Sequence, residues 1–296
     1  MKKAKLATLL AVAALSASAV PLAGVHAADS TLDTTGKVQY VPGTDKTPPT
    51  DPSNPDPGKP VGPTDPNGKD PNQPIGPDQG TDGPLSLDFA SSLDFGTNRI
   101  TSADQTYFAR AQKYYAANAT DPSGYDMANA QYGPIYTQVT DNRGTNAGWT
   151  LSVKQNSPLT LSTFDATTGA YTPVTTGTGK TLDGATITFA DAEAASNSTD
   201  PTQMPTVQAP VVVDGNGNAQ PVMSAADQQG AGTWVDRFGH SEQATEMQYN
   251  ADGSDNGTAD VNVDKSVSLY VPGATVKSAG LYYTTLTWTL SATPGN

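Results

Sequence analysis

The sequence predicts an all-β protein, a β-sandwich or barrel-like single domain preceded by a disordered Pro/Asp-rich segment. Three observations predict it. Apolar residues recur at every second position in several short runs, Gly/Asn/Asp turn signals separate those runs, and one stretch holds too much proline and too little apolar surface to fold on its own.

Residues 1–27 read MKKAKLATLLAVAALSASAVPLAGVHA, with Lys2, Lys3 and Lys5 ahead of an apolar run from Leu6 to Val20 and a small-residue end at Val25-His26-Ala27. This is the pattern of a secretory signal peptide cleaved after Ala27, and the run is short for a spanning helix of about 20 apolar residues. The mature protein is expected to start at Ala28, to be secreted and extracellular, and not to span a membrane. No cysteine follows the run to accept a lipid, and the C-terminal TTLTWTLSATPGN has neither a sortase-type LPxTG motif nor a hydrophobic tail. Any hold on the cell is therefore expected to be non-covalent.

Residues 28–84 read as a disordered Pro/Asp-rich stalk. From Val41 to Pro84 stand 13 of the 24 prolines, with recurrent Asp-Pro steps at Asp51-Pro52, Asp56-Pro57, Asp65-Pro66 and Asp70-Pro71. Prolines bias such a chain to extended polyproline II, whose limit here is about 130 Å at about 3.1 Å per residue.

Residues 85–296 read as the β domain. LSLDF puts Leu85, Leu87 and Phe89 on one face, and Ser102 to Asn118 is read as strand because its apolar residues have no clean helical period. GWTLSVK puts Trp149, Leu151 and Val153 opposite Thr150, Ser152 and Lys154, and the last run puts Tyr282, Leu286, Trp288 and Leu290 opposite Thr285, Thr287, Thr289 and Ser291. Turns are marked at Asp214-Gly215-Asn216-Gly217 and Asp252-Gly253.

Composition removes several chemistries. With no cysteine in 296 residues there is no disulfide, no Cys-ligated metal and no thiol nucleophile. A pI near 4.3 argues against nucleic acid. Without residues 1–27 the chain carries 13 basic against 29 acidic side chains, a net charge of −16. The one histidine past the signal, His240, lies in RFGHSE, which reads as a turn and not as a general base. Gly177-Thr178-Gly179-Lys180-Thr181 resembles the end of a phosphate loop, but Val174 stands where the first glycine is needed, so a hairpin turn is expected. Asp252-Gly253-Ser254-Asp255-Asn256-Gly257 has the oxygen spacing of a calcium loop, but Val263 replaces the bidentate glutamate. Acidic residues are 26 Asp against three Glu, which is turn chemistry more than an acid pair for glycoside hydrolysis. No metal, cofactor or catalytic residue is expected.

The tetrapeptide Trp-Thr-Leu-Ser occurs at 149–152 and again at 288–291, each time with Trp and Leu on the same strand face. On the residues alone this is either sandwich core or a recognition surface. With VTDNRGTNAGWTL at 139–151, GLYYTTLTWTL at 280–290, GAGTW at 230–234, LDFG at 93–96 and the Pro/Asp segment, the chain resembles the WxL family of Gram-positive surface proteins over nearly its whole mature length. The resemblance implies a small, non-catalytic member held to the cell wall by peptidoglycan, in some systems assembled with membrane-anchored WxL-interacting proteins. From the repeated Trp-Leu strand face, the residues expected to shape the binding surface are Trp149, Leu151, Trp288, Leu290 and Trp234. Because wall polymers are anionic, binding has to come from aromatic faces, hydroxyl hydrogen bonds or an open strand edge, not from net charge.

Overall fold

The computed structural model describes residues 30–76, 80–250 and 252–294. The expected signal peptide, residues 1–27, and its cleavage site after Ala27 lie outside the described residues. The chain divides into two units, Met1–Tyr40 and Val41–Asn296; of the first, residues 30–40 carry no regular secondary structure.

Among the described residues of the second unit there is no α-helix, only strands and a short 3-10 turn at Pro201–Gln203. The strands are β1 (Val61–Pro63), β2 (Leu85–Ala90), β3 (Gln105–Arg110), β4 (Gln112–Ala116), β5 (Gln131–Gly133) and β6 (Ile135–Asp141). Next come β7 (Trp149–Gln155), β8 (Thr160–Asp165), β9 (Ala170–Pro173), β10 (Thr186–Phe189), β11 (Ala192–Ala195), β12 (Thr206–Val207) and β13 (Val211–Val213). The last are β14 (Gln220–Ala225), β15 (Gly232–Phe238), β16 (Ser241–Tyr249), β17 (Asp255–Val271), β18 (Leu281–Tyr283) and β19 (Leu286–Ser291). The fold is all-β, as expected, and its ladders are antiparallel.

Three sheets enclose one core: β11-β15-β6-β2, β12-β14-β7-β19, and β13-β10-β17-β16 with β3 also on β17. The period-two pattern supplies it. Trp149, Leu151 and Val153 of β7, Ile187 and Phe189 of β10, Val222 and Met223 of β14, and Trp234 and Phe238 of β15 all point inward. Thr150, Ser152 and Lys154 stay partly exposed on the other face, as the alternation requires.

The C-terminal run is not one strand. Its apolar face is kept, but the chain breaks at Thr284 and Thr285, so that β18 joins a small sheet, β18-β8-β9, while β19 joins β7. Residues 102–118 are extended, as expected, but form β3 on β17 and β4 between β1 and β5. In β2, Leu85 and Leu87 pack on the main core whereas Phe89 does not. A bulge between Leu87 and Phe89 turns Phe89 to the opposite side, where it meets Tyr136 with ring centroids 4.7 Å apart.

For the described residues from Pro48 on, that opposite side corrects the expectation of a free stalk over residues 28–84. All seven residues of β6 are buried, because the Pro/Asp-rich segment covers the face that points away from the core. Thr50 donates its N–H (2.9 Å) and hydroxyl (3.0 Å) to Gln138 Oε1, and Gln138 Nε2 donates to Pro48 O (3.0 Å) and Asp88 Oδ2 (3.0 Å). Thr140 and Ser86 donate to the same Asp88 carboxyl, each at 2.6 Å. Tyr114 Oη donates to Asp51, Ile75 packs on Phe89, Tyr136 and Val235, and β1 is hydrogen-bonded to β4. The cause is local. Each Asp-Pro step starts a turn, with Asp51 O accepting from Asn54 N, Asp56 O from Lys59 N, Asp65 O from Gly68 N and Asp70 O from Gln73 N. Asp at the first and proline at the second turn position is the favoured arrangement, so the repeats fold the segment back instead of extending it.

Candidate functional site

The structure places the expected binding residues mostly inside. Trp149 and Leu151 have no exposed surface, and Trp234 keeps 2%. Trp288 and Leu290 are half-buried and pack against the main core from the edge strand β19. Trp149 and Leu151 offer no surface to a ligand outside the fold: β7 lies between β14 and β19, and both side chains sit in the main core. The structure does bring the five residues together. Leu290 faces Leu151 across the β19–β7 ladder, Trp288 meets Phe189 edge-on at 5.7 Å, and Phe189 packs on Phe238 at 5.0 Å.

One loop holds both buried indoles. Trp149 Nε1 donates to Gly230 O (3.1 Å) and Trp234 Nε1 to Ala231 O (2.9 Å), so each buried N–H is satisfied. Gly230 has φ +76°, and a Cβ there would lie 2.6 Å from Trp149 Nε1. On the other side, Arg143 forms a two-point pair with Asp141 (2.9 and 2.7 Å) and donates to Gly148 O (2.7 Å), fixing the approach to Trp149. Thus the DNRG and GAGTW stretches are two clamps on one tryptophan. The reading of Trp and Leu periodicity missed Arg143, Gly230 and Ala231; the Arg two residues after Asp141 was the available signal.

The near-miss motifs have other occupations. The 252–257 run leaves the β16–β17 turn and enters β17, and it is held by a side-chain cation: Arg99 donates to Gly253 O (3.1 and 2.9 Å), pairs with Asp255 (2.7 Å) and lies 4.9 Å from the centre of the Tyr249 ring. Lys180 donates to Thr175 O (2.9 Å), closing its own loop. Exposed His240 lies in the β15–β16 turn near Asp264. Burial pushes the Asp264 carboxyl up to about 6, against the N–H donors of Ile135 and Ser266 and the charge of His240. Burial likewise raises Asp88, and Asp236 well above the carboxylate range; both Asp236 oxygens are buried without a partner. Among the described residues there is no group of three or more His, Asp or Glu placed to hold a metal.

Two surface features remain. The first is a cleft of about 350 Å³ between Ser53-Asn54-Pro55 and residues 193–204, with Trp234 in its wall and half-exposed Met204 at its rim. Arg237 is fixed there by Glu193 (2.8 Å) and by the carbonyls of Pro52 (3.3 Å) and Ser53 (3.1 Å). β11, which lines the cleft, ends its sheet and among the described residues pairs with β15 alone. The second is the outward face of the β18-β8-β9 sheet, which carries Phe164, Tyr171 and Tyr283 in ring contact.

Compared with known protein families, the chain matches the model of the WxL domain, described as surface cell wall-binding, over residues 27–294. No curated protein and no solved structure matches it.

Proposed function

Because the chain belongs to the WxL family of surface cell wall-binding proteins, we propose that it is a secreted, non-catalytic wall protein whose folded body binds peptidoglycan non-covalently. The observation that carries the reading is the extent of the match. Both Trp-Leu strands, the two clamps on Trp149 and the Pro/Asp cover all lie within residues 27–294. Wall binding is then a property of the assembled body, with Trp149 and Leu151 holding the sheets and Trp234, Trp288 and Leu290 setting the shape of the surface from beneath. Its sign is not Coulombic, since 29 acidic side chains face an anionic wall.

The test is sedimentation of the chain from Ala28 with purified sacculi stripped of protein and teichoic acid. It should pellet with them, leave in chaotropic salt without lytic enzymes, and be held more strongly at pH 4 than at pH 7, as carboxylates protonate and repulsion fades. A chain that stays in the supernatant at both pH values overturns the reading.

A second reading, favoured by the open edges of β11 and β19, makes the chain a subunit that pairs by strand addition with a membrane-anchored WxL-interacting protein. Co-purification from detergent-treated cells supports it; recovery solely as a free monomer counts against it.

A further inference from the structure

The small β18-β8-β9 sheet is apolar on the side that faces out. Strand alternation sends Leu281 and Tyr283 of β18, Ser162 and Phe164 of β8, and Tyr171 and Pro173 of β9 to one side, while Tyr282 packs on the core from the other. Tyr171 and Tyr283 lie parallel, 3.8 Å apart with 3° between their planes, and Phe164 adjoins Tyr171 at 4.8 Å. Phe164 is 37% and Leu281 46% exposed, whereas Ser162 in the same face keeps only 6%. Three rings meeting on an outward sheet face, one from each strand, call for an explanation that a single exposed aromatic does not.

The row is held in place before any ligand arrives. Tyr171 Oη donates to Asn67 O (2.9 Å), Asn67 Nδ2 donates to Leu93 O (2.9 Å), and Asn67 N–H is capped by Asp65 Oδ1 (3.0 Å). Asp65 lies close enough to both phenols that its charge, added to partial burial, raises their pKa. Tyr171 is the middle ring of the stack, so the outer faces of Phe164 and Tyr283 are the ones without a ring partner among the described residues, and they lie beside a carboxylate that accepts hydrogen bonds. A pyranose presents C–H groups from its ring faces and hydroxyl or amide donors from its rim, and it matches both halves. An anionic polymer or a carboxylate-ended peptide does not, because Asp65 and Asp94 stand beside Tyr171.

We propose that Phe164, Tyr171 and Tyr283 form a saccharide subsite that takes the uncharged amino-sugar backbone of the wall glycan, with Asp65 accepting from its rim. This rests on the wall-binding reading above, and the experiment separates the two. The chain from Ala28 is tested on intact sacculi, on insoluble chitin as an uncharged, peptide-free β-1,4-linked N-acetylglucosamine polymer, and with a soluble β-1,4-linked N-acetylglucosamine tetrasaccharide as competitor.

The unaltered chain should bind both solid phases and be displaced by the tetrasaccharide. Phe164→Ala with Tyr283→Ala should weaken binding about tenfold or more, equivalent to about 1.4 kcal/mol or more, in a variant that circular dichroism shows folded at the assay temperature. Tyr132→Ala, a half-exposed tyrosine on β5, should bind as the unaltered chain does. No binding to intact sacculi removes the wall reading itself. Binding to sacculi that is absent on chitin, or kept by the folded double variant, overturns the subsite alone. Should the double variant unfold, nitration of Tyr171 and Tyr283 in the unaltered chain decides: protection by the tetrasaccharide supports the subsite, and unchanged nitration overturns it.

Discussion

The two copies of Trp-Thr-Leu-Ser lie side by side, with Thr289 facing Ser152 and Ser291 facing Thr150, yet only one is sealed. β7 has a strand on each edge, and Trp149 is shut in with its N–H bonded to Gly230. β19 has β7 on one edge and ends its sheet, and Trp288 stays half-open. The same four residues therefore do different work, and place in the sheet decides which. A repeated motif is not evidence of two equal sites.

The largest expected effect is that of Trp149→Ala, which should cost about 3–5 kcal/mol in urea unfolding, because a fully buried Trp leaves a cavity. A cost equal to that of Trp288→Ala would break the contrast. Gly230→Ala should cost about 1–3 kcal/mol, since its Cβ meets the Trp149 ring and Ala225 at a positive φ. Emission from Trp149 should shift with it, whereas the Trp288 environment should not, which single-Trp variants can separate. Trp288→Ala should cost about 1–2 kcal/mol, at the lower part of the usual range for single substitutions.

The smallest effect is that of pH, and it sets buried carboxyls against turn carboxyls. Asp264, and with it Asp88 and Asp236, is raised by burial. The folded state then binds their protons more tightly, so for Asp264 this stability is complete below about 4 and is lost as pH rises through about 6. Asp121, Asp165, Asp200 and Asp252 are lowered by turn hydrogen bonds, and their contribution is lost only as pH falls below the ordinary carboxylate range. The thermal midpoint should accordingly be higher at pH 4.5 than at pH 7 by calorimetry. A midpoint that climbs steadily from 4.5 to 7 contradicts the buried group.

Alternation made β7 and β19 legible, because a period-two pattern says which side chains share a face. It does not say how many neighbours a strand has, so Trp149 and Trp288 looked equivalent. The Asp-Pro steps were legible as composition but not as turns, and what they buy is invisible to hydropathy: Thr50, Asp88, Gln138 and Thr140 form a buried polar network in which each partner comes from a distant part of the chain. Phe89 escaped for a related reason, since a bulge breaks the alternation from which its face was read. The ring row on β8, β9 and β18 was hidden because Phe164, Tyr171 and Tyr283 meet only through tertiary pairing.

The polar cover over β6 also orders events in time. Thr50 bonds to Gln138, 88 positions later, and Arg237 reaches back to Pro52 from 185 positions on. Thr50 and Pro52 therefore gain these two partners only after residues 138 and 237 have been made. Such distant closure is slow compared with local hairpins like β16–β17. The seal over β6 is accordingly expected to close after the local hairpins.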